Sequence, residues 1–217
     1  MDSRIMLRAA VLGPIGTNVY FVKNTETDEM FIVDPADDAF RIKQAVRSME
    51  GSPAAILLTH GHFDHIMAVK DIKDEYNIPV YACRQEEEVL KSPAANLSAG
   101  YGMSISIEAD RYLEDNEEFE CAGFNIRMLH TPGHTQGSCC YYLEEGKLLF
   151  SGDTLFHGSA GRTDFPGGSM TEIVRSLHML TETLPEDTVV LPGHESATTI
   201  GDEKRYNPFV QNSDSFY

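Results

Sequence analysis

The sequence has few basic residues and no long hydrophobic segment. Lysine and arginine together number 17 against 34 aspartate and glutamate residues, for a formal net charge of −17. A surface with this charge repels a phosphate backbone, so we expect no nucleic-acid partner. No stretch approaches the roughly 20 apolar residues that span a bilayer, and residues 1–7 lack the apolar run of a secretory signal. The sequence therefore predicts no membrane partner and a cytoplasmic location.

Paired cysteine motifs, linkers and repeats are also missing. The cysteines at positions 83, 121, 139 and 140 lack C-x-x-C spacing, which predicts ordinary reduced thiols. No segment rich in proline, glycine and serine divides the chain, and no unit repeats. Because 217 residues can close one large core, we predict a single domain over residues 1–217. No G-x-S-x-G or Cys-His signature offers a side-chain nucleophile.

Apolar periodicity predicts strands mixed with helices. Segments 18–22 and 30–34 resemble strands that flank a polar turn, which predicts a hairpin. Helical spacing predicts helices over residues 38–49, 64–76, 85–90 and 169–182. Further strands are predicted over residues 54–58, 79–82, 124–130, 138–143, 147–150 and 188–191. This mixture predicts an α+β protein in which one sheet packs on another and helices cover the outside.

A histidine-rich motif directly follows the predicted strand 54–58. His60, His62, Asp64 and His65 fall within six residues, so a tight loop can turn their side chains toward one point. Imidazole together with carboxylate suits zinc, iron or manganese, and the motif contains no cysteine. The motif therefore predicts a metal site.

Three later residues extend this motif. They are His134 in Thr-Pro-Gly-His-Thr, Asp153 in Ser-Gly-Asp-Thr and His194 in Pro-Gly-His-Glu. Each follows a strand-like apolar run and lies beside a glycine, which allows the sharp turn that points a ligand back over a sheet. We therefore expect these residues to join the same metal site.

The ordered set of motifs resembles the signature of the metallo-β-lactamase superfamily over nearly the whole chain. The resemblance implies a four-layer αββα sandwich and two divalent metal ions, with zinc favoured and iron or manganese as alternatives. It assigns His60, His62 and His134 to the first metal, Asp64, His65 and His194 to the second, and Asp153 as a bridge between them. Asp34 resembles the first motif of the family, a carboxylate outside the ligand set that braces the metal loop.

The resemblance also implies a mechanism. Two metals hold a bridging water, lower its pKa and polarise a substrate carbonyl, so hydroxide is the nucleophile. Asp64 is then also a catalytic residue, because it orients that hydroxide. A thiolate leaving group, with a parent pKa near ~8.5, departs without an acid to protonate it. A small acyl thioester therefore makes the smallest demand on this site.

Residues 151–156 and 161–168 resemble the short bacterial glyoxalase II-like proteins, which are similar to hydroxyacylglutathione hydrolases. Full-length glyoxalase II adds a C-terminal helical region with basic residues for glutathione. Here only Lys204 and Arg205 are basic after the last predicted ligand, so we expect no glutathione recognition of the usual kind. Residues 66–68 replace the family's Gly-rich turn, which we expect to reshape the pocket floor.

Three further residues are candidates for substrate binding: Arg162, His157 and Tyr101. Arg162 can bind a substrate carboxylate or pair with Asp164. His157 follows the predicted bridging residue closely, and Tyr101 lies in a glycine-flanked segment. The sequence carries no signal for the oligomeric state.

Other activities on the same fold stay open. A lactonase places a tyrosine three residues after the bridging aspartate, where this chain has Phe156. A persulfide dioxygenase uses one iron on similar ligands. A β-lactamase is normally exported. A metal-stabilised binding module would keep the ligands without turnover. Metal content and a thioester panel discriminate these alternatives.

Overall fold

Two six-stranded sheets form the centre of the fold in the computed structural model, which describes residues 2–211. The first sheet contains, in spatial order, β1 (Ile5–Leu12), β2 (Thr17–Asn24), β3 (Glu29–Val33), β4 (Ser52–Leu57), β5 (Val80–Cys83) and β6 (Arg111–Leu113). Strands β1 to β3 pair antiparallel, and β3 to β6 pair parallel. Met1 and residues 212–217, the ends of the predicted domain, lie outside the described residues.

The second half of the chain supplies the second sheet. This half of the chain contains the strands β7 (Glu118–Cys121), β8 (Phe124–His130), β9 (Cys139–Leu143), β10 (Leu148–Gly152), β11 (Leu155–Phe156), β12 (Ser159–Ala160), β13 (Val189–Pro192) and β14 (Thr198–Thr199). The spatial order is β14-β13-β10-β9-β8-β7, while β11 and β12 form a separate hairpin. Only β10 and β13 pair parallel in this sheet of the described chain.

Helices cover the outer faces of both sheets. They are α1 (Ala39–Ser48), α2 (Phe63–Ile66), α3 (Val69–Tyr76), α4 (Glu87–Lys91), α5 (Met170–Thr183), α6 (Ile200–Tyr206) and α7 (Pro208–Gln211), with 3₁₀ turns at Arg84–Glu86 and Ser98–Tyr101. Within residues 2–211, none of the helices combines the length and the apolar character needed to span a membrane.

Three apolar clusters separate four layers. In β2, Phe21 packs with Ile42 of α1 and Ile72 of α3, whereas its neighbour Tyr20 points into the cluster between the two sheets. The alternation follows from the two-residue period of a strand. On the far side, Leu177 of α5 packs against the second sheet. The α+β class and the αββα sandwich are therefore confirmed.

The helical segment predicted over residues 64–76 is interrupted in the structure. The chain forms α2 and α3 with a break at Met67–Ala68. At the break between the two helices, the Ala68 backbone N–H donates to the Pro35 carbonyl at 3.0 Å. This N–H therefore forms a tertiary hydrogen bond and not one within a continuous helix. This contact joins the start of α3 to the loop that follows β3.

Strand β1 was not predicted because it lies at a sheet edge and is buried mainly at its two ends. Its side chains therefore lack the alternation that marks a half-buried strand, and main-chain pairing with β2 holds it in place. The four cysteines are all buried and unpaired, which confirms the prediction of reduced thiols.

Candidate metal centre

The predicted metal ligands lie at one edge of the sandwich. His60 and His62 follow β4, and His134 follows β8. Asp153 follows β10, and His194 follows β13. Strands β8, β10 and β13 run in the same direction, so their carboxyl ends share this edge. Loops at the ends of rigid strands can therefore bring distant residues together.

Two glycines allow the close approach of these loops. A Cβ atom on Gly193 would collide with the Asp153 carboxylate and the His65 ring. Gly152 has φ of +48°, and a Cβ there would meet the Thr59 side chain. Other residues at these positions would push the loops apart, which explains why glycine precedes two of the predicted ligands.

The first group of ligand atoms consists of three buried imidazoles. Within His60, His62 and His134, one ring nitrogen of each residue lies within 4.8 Å of the others. The closest pair is His62 Nδ1 and His134 Nε2, 2.8 Å apart. This spacing suits three ligands that converge on one cation.

The second group combines a carboxylate with two imidazoles. Asp64 Oδ2 lies 3.5 Å from His65 Nε2 and 3.3 Å from His194 Nε2. Asp153 lies between the two groups, with Oδ1 3.4 Å from His65 Nε2 and Oδ2 3.5 Å from His134 Nε2. All seven predicted ligands thus lie together, and Asp153 lies between the two groups, where a bridging ligand would lie.

The hydrogen bonds of the imidazoles fix which nitrogen faces the cluster. His134 Nδ1 lies 2.8 Å from the Arg162 carbonyl oxygen, which can only accept, so this nitrogen donates. His65 Nδ1 lies 2.9 Å from Asp34 Oδ2 and donates to it. In the neutral tautomer the Nε2 lone pairs of both rings then point into the cluster, where a metal ion would bind them.

Several buried atoms in this cluster have no hydrogen-bond partner. Those that face the cluster are His60 Nε2, His65 Nε2 and Asp153 Oδ1. Buried polar atoms are normally paired, and an unpaired cluster of nitrogen and carboxylate donors is what a divalent cation satisfies. The residues present therefore fit a dimetal centre.

The pKa values show how the cluster balances its charge without cations. Burial lowers the pKa of His62 to about 3 and that of His60 well below its usual value. Burial opposes the charged form of His194 as well, but hydrogen bonds to Asp153 and Asp64 raise its pKa to about 9. Protons on the second group thus offset the carboxylates, a role that metal ions would take over.

Asp34 makes the contacts that its predicted bracing role requires. Its Oδ1 accepts a hydrogen bond from the Thr59 backbone N–H at 2.8 Å. Its Oδ2 accepts from the Thr59 hydroxyl at 2.6 Å and lies 2.9 Å from His65 Nδ1. The carboxylate thereby holds both the end of β4 and one ligand ring.

Glu86 is a second bracing carboxylate, and it was not predicted from the sequence. It is 1% exposed, and its Oε1 accepts from the Gly61 N–H at 2.7 Å. Its Oε2 accepts from the Thr135 hydroxyl at 2.8 Å and the Gly137 N–H at 2.9 Å. Burial raises the pKa of Glu86 to about 7, although these hydrogen bonds lower it. Glu86 thus joins the His60–His62 loop to the loop that carries His134.

No sequence signal distinguishes Glu86. It begins an acidic run with Glu87 and Glu88, in a segment predicted as a polar helix. Only the tertiary structure shows that its side chain points inward and that those of its neighbours remain outside.

Replacing Glu86 with glutamine is expected to raise the dissociation constant for Zn²⁺ about 10–100-fold, because the amide group would face hydrogen-bond donors and loosen both ligand loops. Zinc competition with a chromophoric chelator measures this change. The matched control is Glu203→Gln, since Glu203 is also 1% exposed and accepts from Thr198, Asn207 and Gly158. Equal zinc affinities of the two variants would contradict the bracing role of Glu86.

A cleft of about 570 Å³ opens beside the cluster and contains two of the three predicted substrate-binding residues. Tyr101 and Arg162 line it. Arg162 donates two hydrogen bonds to Asp164, at 2.7 and 2.6 Å, so the structure contains the predicted pair. His157 is exposed and is not among the described residues that line the cleft.

Comparison with known proteins identifies the family. The model of the metallo-beta-lactamase superfamily matches residues 12–194. The hydroxyacylglutathione hydrolase GloC of Haemophilus influenzae is 35% identical over 183 residues, which cover 82% of this chain and 86% of that protein.

Two solved structures are similar along their whole length. The B3 metallo-beta-lactamase BLEG-1 superposes with a TM-score of 0.90 at 42% identity, over 95% of this chain and 100% of that chain. TTHA1623 in a di-iron-bound form gives a TM-score of 0.82 at 36% identity, over 93% and 99% of the two chains. With its αββα layers and its His/Asp cluster, this chain belongs to the metallo-beta-lactamase superfamily.

Proposed function

We propose that this protein hydrolyses small acyl thioesters at a dimetal centre. The observation that carries the proposal is a cleft lined by five of the seven predicted ligands, with no separate imidazole or amine among its described lining residues. Such a cleft suits a substrate whose leaving group needs no proton.

When bound, the two metals would supply an activated water and a Lewis acid for the substrate carbonyl. His60, His62 and His134 would hold one metal, and the group of Asp64, His65 and His194 would hold the other, with Asp153 shared. Zinc is the metal that this donor set favours, and the di-iron form of TTHA1623 supports iron as the alternative.

Asp64 has the position of a residue that orients the attacking water. Its Oδ2 accepts a hydrogen bond from the Thr17 hydroxyl at 2.9 Å, which fixes the plane of the carboxylate. Beside His65 and His194, the pKa of Asp64 falls to about 2, although burial alone would raise it. Asp64 is therefore ionised at neutral pH, and its other oxygen can accept a hydrogen bond from the attacking water and orient it.

The leaving group is the main argument for a thioester. Besides the cluster, the titratable side chains among the described lining residues are those of Tyr101, Arg162 and Glu195. An amine or alkoxide usually needs a positioned acid in order to depart, whereas a thiolate with a parent pKa near ~8.5 does not. Phe156, at the place of the lactonase tyrosine, lines the cleft without a hydroxyl group.

The relatives support two reactions. The GloC relative is named a hydroxyacylglutathione hydrolase, which supports a thioester. The BLEG-1 structure is named a metallo-beta-lactamase, so β-lactam hydrolysis is the second candidate for this chain. Both reactions add water across an acyl bond, and they differ in whether the departing atom is sulfur or nitrogen.

A panel of substrates tests the proposal. Purified protein with its metal content measured is expected to hydrolyse thioesters, including S-lactoylglutathione, faster than a chromogenic cephalosporin. Oxygen uptake with glutathione persulfide tests the dioxygenase alternative. One iron per chain, with oxygen uptake and no thioester hydrolysis, would overturn the proposal. Cephalosporin hydrolysis without thioester hydrolysis would favour the second candidate.

A further inference from the structure

Four apolar side chains line the cleft beside the metal cluster and form what we call the apolar wall: Ile15, Phe63, Leu97 and Tyr101. Ile15 and Tyr101 are 46% and 61% exposed, although both are large and apolar in character. The Tyr101 ring lies over the Phe63 ring, with centroids 4.2 Å apart. Exposed apolar groups gathered in one concave site mark a surface that an apolar ligand covers.

Leu97 is held in a backbone conformation that leucine rarely adopts. Its φ is +69°, in the left-handed region where glycine is favoured. The buried neighbour Asn96 keeps the segment in place, since its carbonyl accepts from the Phe63 N–H at 2.9 Å and its side chain donates to the Ile105 carbonyl at 2.8 Å. Strain of this kind concentrates at binding sites. Here it places an apolar side chain against the cleft.

The charges of the cleft do not suit an ionised carrier. Arg162 is the one cationic side chain among the described lining residues, and Asp164 already binds it through two hydrogen bonds. The Arg162 guanidinium also lies 4.0 Å from the Phe165 ring centroid. A thiol carrier with carboxylates, such as glutathione, therefore finds no free cationic side chain among the described lining residues.

We propose that the cleft selects thioesters with an apolar aliphatic or aromatic acyl group, which the apolar wall holds beside the reacting carbonyl. The inference rests on the proposed thioester hydrolysis and adds the class of the acyl group. The thiol carrier contributes little recognition, because its charged part has no partner in the cleft.

Three thioesters separate the contributions of acyl group and thiol. The 3-phenylpropionyl and lactoyl thioesters of N-acetylcysteamine share an uncharged thiol, and S-lactoylglutathione shares the lactoyl group but carries charge. We expect kcat/KM for the phenylpropionyl thioester to exceed that for the lactoyl thioester by at least about tenfold. We expect the two lactoyl thioesters to differ by less than about threefold. A preference for S-lactoylglutathione over both others would overturn the inference.

Two variants assign the selectivity to the wall. Tyr101→Ala and Leu97→Gly are each expected to lower the phenylpropionyl-to-lactoyl ratio about tenfold, mainly through KM. Glycine at position 97 removes the strain of positive φ, so this variant is expected to lose selectivity without a lower Tm. The control Tyr206→Ala alters a tyrosine that is 75% exposed and outside the lining residues. Unchanged ratios in both wall variants would contradict the assignment.

A binding measurement distinguishes failure of this inference from failure of the proposed function. An analogue of the phenylpropionyl thioester with a methylene group in place of sulfur cannot be hydrolysed. Calorimetry on the zinc-loaded protein is expected to show tighter binding of this analogue than of its lactoyl counterpart. If no thioester is hydrolysed but this difference is found, the thioesterase proposal fails and the apolar cleft stands. Equal or absent binding of both analogues overturns the apolar cleft itself.

Discussion

Replacing Asp64 with alanine is expected to lower kcat/KM for thioester hydrolysis by at least about 10³-fold. The change removes a carboxylate that contacts two ligand imidazoles, at 3.5 and 3.3 Å, and that the Thr17 hydroxyl orients. This single substitution therefore removes a metal ligand together with the group that orients the attacking water. Steady-state kinetics together with metal analysis measure both effects.

Controls separate this role of Asp64 from a loss of folding. Asp64→Asn keeps the shape of the side chain and is expected to lose activity to a similar extent with the fold intact. Asp74→Ala removes an exposed carboxylate and is expected to leave activity unchanged. Full turnover with normal metal content in Asp64→Ala would refute the role assigned to this residue.

Zinc is expected to raise the Tm of the metal-free protein by about 16–32 °C when it is present at about 1,000 times the dissociation constant of each of the two sites. Binding at this saturation stabilises the folded state by about 4 kcal/mol per site, and each kcal/mol shifts the Tm of a domain of this size by about 2–4 °C. The stabilisation arises because buried nitrogen atoms of His60 and His65 gain the partner that they lack. Differential scanning calorimetry with and without a chelator measures the shift.

His134→Ala provides the matched control for the thermal shift, because it removes one ligand of the first group and leaves the second group complete. We expect this variant to retain about half of the increase in Tm or less. A shift in this variant as large as that of the unaltered protein would show that zinc stabilises the fold from another site.

The motifs and most elements of the sandwich could be predicted from the sequence because their causes are local. Alternating apolar residues define strands such as β8, whose bounds match the prediction. The glycines before His134 and His194 mark sharp turns at strand ends. Since those strand ends share one edge of the fold, motifs far apart in the chain converge.

Other features depend on tertiary contacts that no local pattern encodes. The break between α2 and α3 coincides with a hydrogen bond from Ala68 to the distant Pro35 carbonyl. Glu86 is distinguished from Glu87 and Glu88 only by the loops packed around it. Leu97 adopts its conformation through the buried Asn96 segment. In each case the decisive partner is remote in sequence or lies in a segment without periodicity.

The substrate candidates illustrate the same limit. In the sequence, Arg162 is a candidate because its charge can bind a carboxylate, and His157 is a candidate because it closely follows Asp153. Their position relative to the cleft separates them in the structure, since Arg162 lines the cleft in a pair with Asp164 and His157 is not among the described lining residues. The side chains of the apolar wall, by contrast, come from the turn between β1 and β2, from α2 and from the segment around the 3₁₀ turn Ser98–Tyr101, and they have no common motif.

Stepwise addition of metal to the metal-free protein tests the central claim most directly. Thioester hydrolysis is followed while zinc, or iron under anaerobic conditions, is added and the bound metal is measured per chain. A dimetal centre predicts that hydrolysis is absent without metal and reaches its maximum at two equivalents per chain. Hydrolysis that persists without metal, or that reaches its maximum at one equivalent, would contradict it.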